Sequence, residues 1–153
     1  MRWLLLLPLV CLGPQAASAY SVLSHEAIID LSWAHEIRPL VEKRFPGLTE
    51  DQLREAHAYA YGGSIIQDMG YYPFGNKFFS DLVHYTRSGD FVLALMRESQ
   101  DADEYAFALG ALSHYAADNL GHPIAVNRTV PEVYPELGRK FGPDVTYEDD
   151  PGA

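Results

Sequence analysis

No stretch of this chain alternates apolar and polar residues with period two over a useful length, whereas apolar residues recur at helical spacing along most of it. A chain so patterned buries its side chains by packing helices on helices. Ser24 opens an apolar pattern through Ile28, Ile29, Leu31 and Trp33, which Pro39 limits or kinks. Thr49-Glu50-Asp51-Gln52 reads as a capping box for a helix running to about Ile66. Gly75 and Asn76 precede a short helix through Tyr85, and Ser88-Gly89-Asp90 starts another carrying Phe91, Leu93, Leu95 and Met96. Asp101-Ala102-Asp103 places acids at the positive end of a further helix, with Phe107, Leu109, Leu112 and Tyr115, expected to stop near Gly121-His122-Pro123. Tyr71 to Gly75 and Val130-Pro131 read as loops. The expectation is one all-α, multi-helix domain without internal repeats.

The chain has 153 residues, 48% hydrophobic, which suffices for a real core. Its formal charge of −10 leaves no basic stripe to neutralise phosphates, which disfavours non-specific nucleic-acid binding. Cys11 is the sole cysteine, so neither an intramolecular disulfide nor a thiolate metal cluster can form. Arg2, the apolar stretch Trp3 to Leu12 and Ala17-Ser18-Ala19 have the pattern of a signal peptide, too short to span a bilayer as a mature helix. Cleavage after Ala19 would leave residues 20–153, secreted or periplasmic and free of cysteine, to be held by packing or by metal.

The histidines and carboxylates carry the chemistry. His114 and Asp118, four apart on one helix, project from the same face and can share one cation. Such pairs on a surface are often no more than hydrogen bonds. Here the flank from Ala106 to Leu112 is apolar, and a buried carboxylate is costly unless it is paired, which favours metal. His25 lies five residues after Tyr20, the expected new amino terminus. A free α-amine, with a pKa of about 8, can ligate a metal together with its own carbonyl. Asp68 at a helix end and His84 on a separate helix can each be read as ligands or as ordinary polar residues. His57 and His35 read as structural or surface histidines. Tyr59, Tyr61, Tyr71, Tyr72 and Phe74 form an aromatic group around Asp68 in sequence, open to readings as core, as a cation–π cage or as a base-stacking shelf. Asn127-Arg128-Thr129 matches a short glycosylation sequon.

His25, Gln67-Asp68, Val83-His84 and His114-Tyr115-Ala116-Ala117-Asp118 fall in an order and spacing that resembles the zinc-dependent phospholipase C family, whose all-helical fold is shared with fungal single-strand-specific zinc nucleases. The resemblance covers nearly all of residues 20–153. It implies that Asp68, His84, His114 and Asp118 hold one zinc, and that the amine and carbonyl of Tyr20 with His25 hold a second bridged by Asp118. It also implies a third zinc on His122, although His122 follows Asp118 by a shorter step than the family usually takes. The family's later His-x-x-x-Glu or His-x-x-x-Asp pair has no counterpart up to Ala153, so a domain incomplete at its C-terminus is expected.

The activity implied is a phosphodiesterase of the phospholipase C type acting on phospholipid head-group esters, with metal-activated water as nucleophile and Asp68 to orient or deprotonate it. Its partners would be a phospholipid and, transiently, a membrane surface. A zinc-dependent single-strand nuclease is the rival enzyme, favoured by the Tyr20–His25 spacing and opposed by the acidic charge. A non-catalytic metal-binding module is the rival from another class.

Overall fold

The structure, a computed structural model, describes residues 22–146 and 149; the expected signal peptide, Cys11 and Tyr20 lie outside the described residues. Helix α1 (Val22–Ser32) passes through a wide π turn, Trp33–Ile37, into α2 (Arg38–Arg44). Helix α3 (Glu50–Ile65) leads to a 3₁₀ turn, Ile66–Tyr71, and the short α4 (Lys77–Asp81) leads to a π turn, Leu82–Thr86. Then come α5 (Ser88–Glu98), α6 (Ala102–Gly121), a π turn His122–Val126, α7 (Asn127–Val133) and α8 (Pro135–Phe141). There is no strand among the described residues, and the all-α expectation holds. No helix among them is long and apolar enough to cross a membrane.

Local chemistry sets the helix starts. The capping box of α3 forms in full, with Gln52 N donating to Thr49 Oγ1 (3.3 Å) and Thr49 N to Gln52 Oε1 (3.0 Å). Asp101 caps α6 by accepting from Glu104 N at 2.9 Å. Two of the prolines interrupt the α-helical path as expected, and Pro131 does not. A proline lacks an N–H, and its ring collides with the carbonyl four residues back. Just before Pro39 the chain widens, and Arg38 N bonds the Trp33 carbonyl, so the helical path continues. Helix α6 ends at Gly121, at the expected Gly121-His122-Pro123 stop, and a π turn of the same kind, with Asn127 N bonded to the His122 carbonyl, carries the chain on into α7. Val130-Pro131, expected as a loop, lies inside α7. There Val130 is buried with Leu137 and Val145 against Tyr134 in a small second core, and that burial holds the helix together around its proline.

The main core joins Ile29, Ile37 and Val41 to Leu53, Ala56 and Ala60 of α3 and to Tyr105, Ala106 and Leu109 of α6. Arg44 stacks 4.4 Å from the Tyr105 ring and donates to the carbonyls of Met96 and Ser99 (both 2.9 Å), tying α2 to the end of α5. Helices α3 and α6 make the closest pair. A Cβ on Gly63 would lie 1.9 Å from the Phe107 carbonyl oxygen, and one on Gly110 would lie 2.1 Å from that of Ala60. Backbone meets backbone here, and that approach positions the site.

Candidate metal centre

Five elements deliver one side chain or more to a common point. Asp68 comes from the 3₁₀ turn after α3, His84 from the π turn after α4, and His25 from α1. His114 and Asp118 come from the last turns of α6, and His122 from the π turn that extends it. His114 lies at the α3–α6 contact, where its Nδ1 bonds the Ser64 carbonyl at 2.7 Å. His84 Nδ1 bonds the Ser80 carbonyl at 2.8 Å. A carbonyl only accepts, so both Nδ1 atoms carry the proton and both Nε2 atoms present lone pairs inward. Those two Nε2 atoms stand 3.2 Å apart. Two lone pairs at that distance need a cation between them, either a proton or a metal.

The carboxylates complete the figure. His84 Nε2 lies 3.3 Å from Asp68 Oδ1 and 3.5 Å from Asp118 Oδ2. His114 Nε2 lies 3.2 Å from Asp118 Oδ2 and 3.9 Å from Asp68 Oδ1. Ligand atoms about 2.0–2.1 Å from a tetrahedral ion are separated by roughly 3.3–3.4 Å. The nitrogen–nitrogen edge and the four nitrogen–oxygen edges of this set, 3.2–3.9 Å, lie around that value, and the atoms of Asp68, His84 and His114 gather closely enough to hold one ion, so these residues fit zinc. A second group faces the other carboxylate oxygens. His25 Nε2 and His122 Nε2 each lie 3.6 Å from Asp118 Oδ1, and His25 Nε2 is 4.0 Å from Asp68 Oδ2. Asp118 Oδ1 is buried, with no hydrogen-bond partner among the described residues. Both aspartates thus face two directions, where the sequence expectation had Asp118 alone as the bridge. His122, expected at a separate third ion, instead shares the Asp118 oxygen with His25.

The electrostatics follow from burial and proximity. Burial, reinforced by the neighbouring His114, pushes the His25 imidazole down to about 4. Burial also presses on His84, but the Asp118 and Asp68 carboxylates and the Ser80 carbonyl outweigh it and raise its pKa to about 10. Asp118 sits far below the usual carboxylate range; burial opposes this, and His114, His122 and His84 together overcome it. Without a metal, the proton on His84 is the cation that the cluster requires. The stability it contributes to the metal-free fold is fully present below about 6.5 and is lost as pH rises through about 10. Zinc must expel that proton. Zinc uptake at neutral pH is therefore expected to release one proton from His84 and none from His25, with affinity rising about tenfold per pH unit between about 7 and 10. Calorimetry in buffers of different ionisation enthalpy checks this, and uptake with no proton release would contradict it.

A cavity of about 250 Å³ opens beside His84, His114, Asp118 and His122, with Gln67, Tyr85 and Asn127 also in its wall. Gln67 donates to the Ala111 carbonyl at 3.0 Å, while its Oε1 and Asn127 Oδ1 are buried with no hydrogen-bond partner among the described residues. Neither residue carries a signal in the sequence, apart from the position of Gln67 next to Asp68. Asn127 faces the cavity from inside a helix, a poor position for the sequon reading. Tyr61 is not at the site. It donates to Asp30 and stacks on His57, whose ring also lies 4.1 Å from that of Trp33. His57 is thus a half-buried structural histidine, and His35 is exposed. Tyr71 alone of the aromatic group approaches the cluster, 5.6 Å from the His84 ring.

An all-helical protein with a buried histidine–aspartate cluster whose lone pairs converge is built to hold a cation. A model of the family described as zinc dependent phospholipase C matches residues 24–152, and the chain belongs to that family. No curated protein and no solved structure matches the chain significantly.

Proposed function

We propose that this chain is a secreted zinc-dependent phosphodiesterase of the phospholipase C type that cleaves phospholipid head-group esters. The family supports the class, and the leader composition supports export. The observation that carries the reading is the pair of imidazoles locked through Nδ1 to the Ser64 and Ser80 carbonyls, so that both Nε2 atoms face the Asp68 and Asp118 carboxylates at 3.2–3.9 Å. His84, His114, Asp68 and Asp118 would hold one zinc, and His25, His122 and the second oxygens of the two aspartates would hold another, with the amine and carbonyl of Tyr20 added to it if cleavage follows Ala19. Bound zinc supplies an acidified water and positive charge for a phosphodiester oxygen.

The protein's own groups do the rest. The two carbonyls fix the imidazole tautomers. The carboxylates of Asp68 and Asp118 balance the ions' charge, which lets an acidic protein accept an anionic ester. Asp68 is the carboxylate assigned to orient a water and take its proton, and its Oδ2 lies 4.0 Å from His25 Nε2. The cavity beside the cluster receives the head group.

The test sets a phosphocholine ester and single-stranded DNA side by side. Turnover of the ester, its abolition by excess chelator and a lowered melting temperature without metal are expected. Full activity in chelator would end the zinc reading. Turnover of DNA alone would assign the site to a nuclease, and bound zinc with neither substrate turned over would leave a metal-binding module.

A further inference from the structure

Between Asp68 and His84 the chain makes a projection that the metal cluster does not require. Gly75 N bonds the Tyr72 carbonyl at 2.8 Å, closing a four-residue turn with Pro73 at its second position. Phe74, at the third, has φ of 70°. Proline followed by a positive φ is the arrangement of a type II turn, whose third residue is normally glycine or asparagine because other side chains are strained there. Phe74 bears that strain and is also fully exposed, at 108% of its reference surface. Phe78, four residues on, is 74% exposed, and Met69, Tyr71 and Tyr72 are exposed beside them. Strain and apolar exposure at one position are two costs without return in the isolated fold, and such costs concentrate where a surface meets a partner.

The projection is fixed to the site. Gly70 N donates to Ser80 Oγ at 2.9 Å, Ser80 Oγ donates to the Gln67 carbonyl, and the Ser80 carbonyl holds His84. A Cβ on Gly75 would lie 2.3 Å from the Met69 carbonyl oxygen, so the turn is folded hard against the segment that carries Asp68. Its charge also differs from that of the whole. Residues 69–87 contain Lys77, Arg87 and one acid, Asp81, in a chain of net charge −10. Lys77 is paired with Asp81 at 2.8 Å and Arg87 with Asp90 at 2.7 Å. The face is apolar and close to neutral.

We propose that the Tyr72–Gly75 turn, with Phe78, is a docking tip that seats the protein on a zwitterionic phospholipid surface and brings the cavity beside His84 to the head groups. A near-neutral aromatic tip suits an interface of zwitterionic head groups, and the chain's overall charge opposes anionic ones. This inference rests on the phospholipid reading above and deepens it.

The test compares zinc-loaded wild type with Phe74→Gly and with Phe74→Gly/Phe78→Ser, reading co-sedimentation with phosphatidylcholine vesicles. Glycine is the residue this turn prefers, so the melting temperature should hold or rise and zinc content should not change. Vesicle partitioning is expected to fall roughly tenfold in the single variant and further in the double, the order set by removing buried aromatic area. Equal partitioning of wild type and variants would overturn the proposal. So would self-association of the wild type that Phe74→Gly abolishes without altering vesicle binding, which would assign the tip to a second copy of the chain. Partitioning is read without turnover. If the wild type binds vesicles through Phe74 yet hydrolyses no ester, the phosphodiesterase reading fails and the docking tip stands; ester hydrolysis with partitioning indifferent to Phe74 is the reverse.

Discussion

Asp118→Asn is expected to strip the protein of zinc and abolish phosphodiester hydrolysis while the helices remain folded. Asp118 faces four imidazole nitrogens, at 3.2 Å from His114, 3.5 Å from His84 and 3.6 Å from both His25 and His122. No other carboxylate among the described residues reaches all four, so its charge would serve both ion positions of the proposed site at once. Asparagine keeps the shape and removes the charge. Loss of a partner that merely orients a ligand lowers metal affinity about 10–100-fold, and loss of a ligand shared by two ions should exceed that range. Zinc content by elemental analysis, helicity by circular dichroism and turnover on the phosphocholine ester give the three readings. The variant should also lose much of the alkaline pH dependence of the metal-free protein, because burial would then press on the His84 pKa with only Asp68 and the Ser80 carbonyl left to oppose it. A fully zinc-loaded, active Asp118→Asn protein would show that the cluster is not the metal centre.

Gly110→Ala is expected to be among the most destabilising single methyl additions in the chain. In an exposed helix the change from glycine to alanine stabilises by about 1 kcal/mol. Here the added carbon would lie 2.1 Å from the Ala60 oxygen, 2.9 Å from Ser64 N and 3.0 Å from the Ala60 carbonyl carbon, all of them backbone. Backbone cannot rotate aside as a side chain can, so α3 and α6 must separate. Overpacking of this kind costs about 3 kcal/mol or more, a large share of a total stability of about 5–15 kcal/mol. The melting temperature should fall by roughly 10 °C. Separation would also draw His114 Nδ1 from the Ser64 carbonyl, now at 2.7 Å, so zinc affinity should fall with stability. Gly62→Ala is the control, because its Cβ would meet only the Phe107 side chain, at 3.6 Å. That neighbouring substitution should be neutral or mildly stabilising. Equal effects of the two in thermal denaturation would refute the close-approach account.

Much of the fold was legible because its signals are local. The Thr49–Gln52 capping box, the Asp101 cap and the apolar spacing along α3 and α6 need only residues within a turn or two of one another. Pro39 and Pro123 mark breaks in the α-helix that the sequence shows, but Pro131 does not mark the loop expected there. Whether the chain continues beyond a proline depends on whether the preceding turn can widen. At Pro39 and Pro123 it does, and at Pro131 the burial of Val130 keeps the helix intact. At the site, His25, His114 and Asp118 are singled out by residue type and spacing, and Asp68, His84 and His122 by the family resemblance. Their division was not. Asp68 as a second two-way carboxylate, His122 beside His25, and the Ser64 and Ser80 carbonyls that set the tautomers all depend on distances between elements far apart in sequence.

The amino-acid sequence alone determined that this is a helical chain whose single cysteine can form no intramolecular crosslink, and it selected groups able to hold a divalent ion. Helix period, caps and residue chemistry are properties of neighbours along the chain. Only the tertiary structure decided that Gly63 and Gly110 bring two backbones into contact, that four imidazoles surround one carboxylate, and that Phe74 stands strained and exposed at a turn tip. Those features arise from where separate segments meet, and linear spacing carries no record of that.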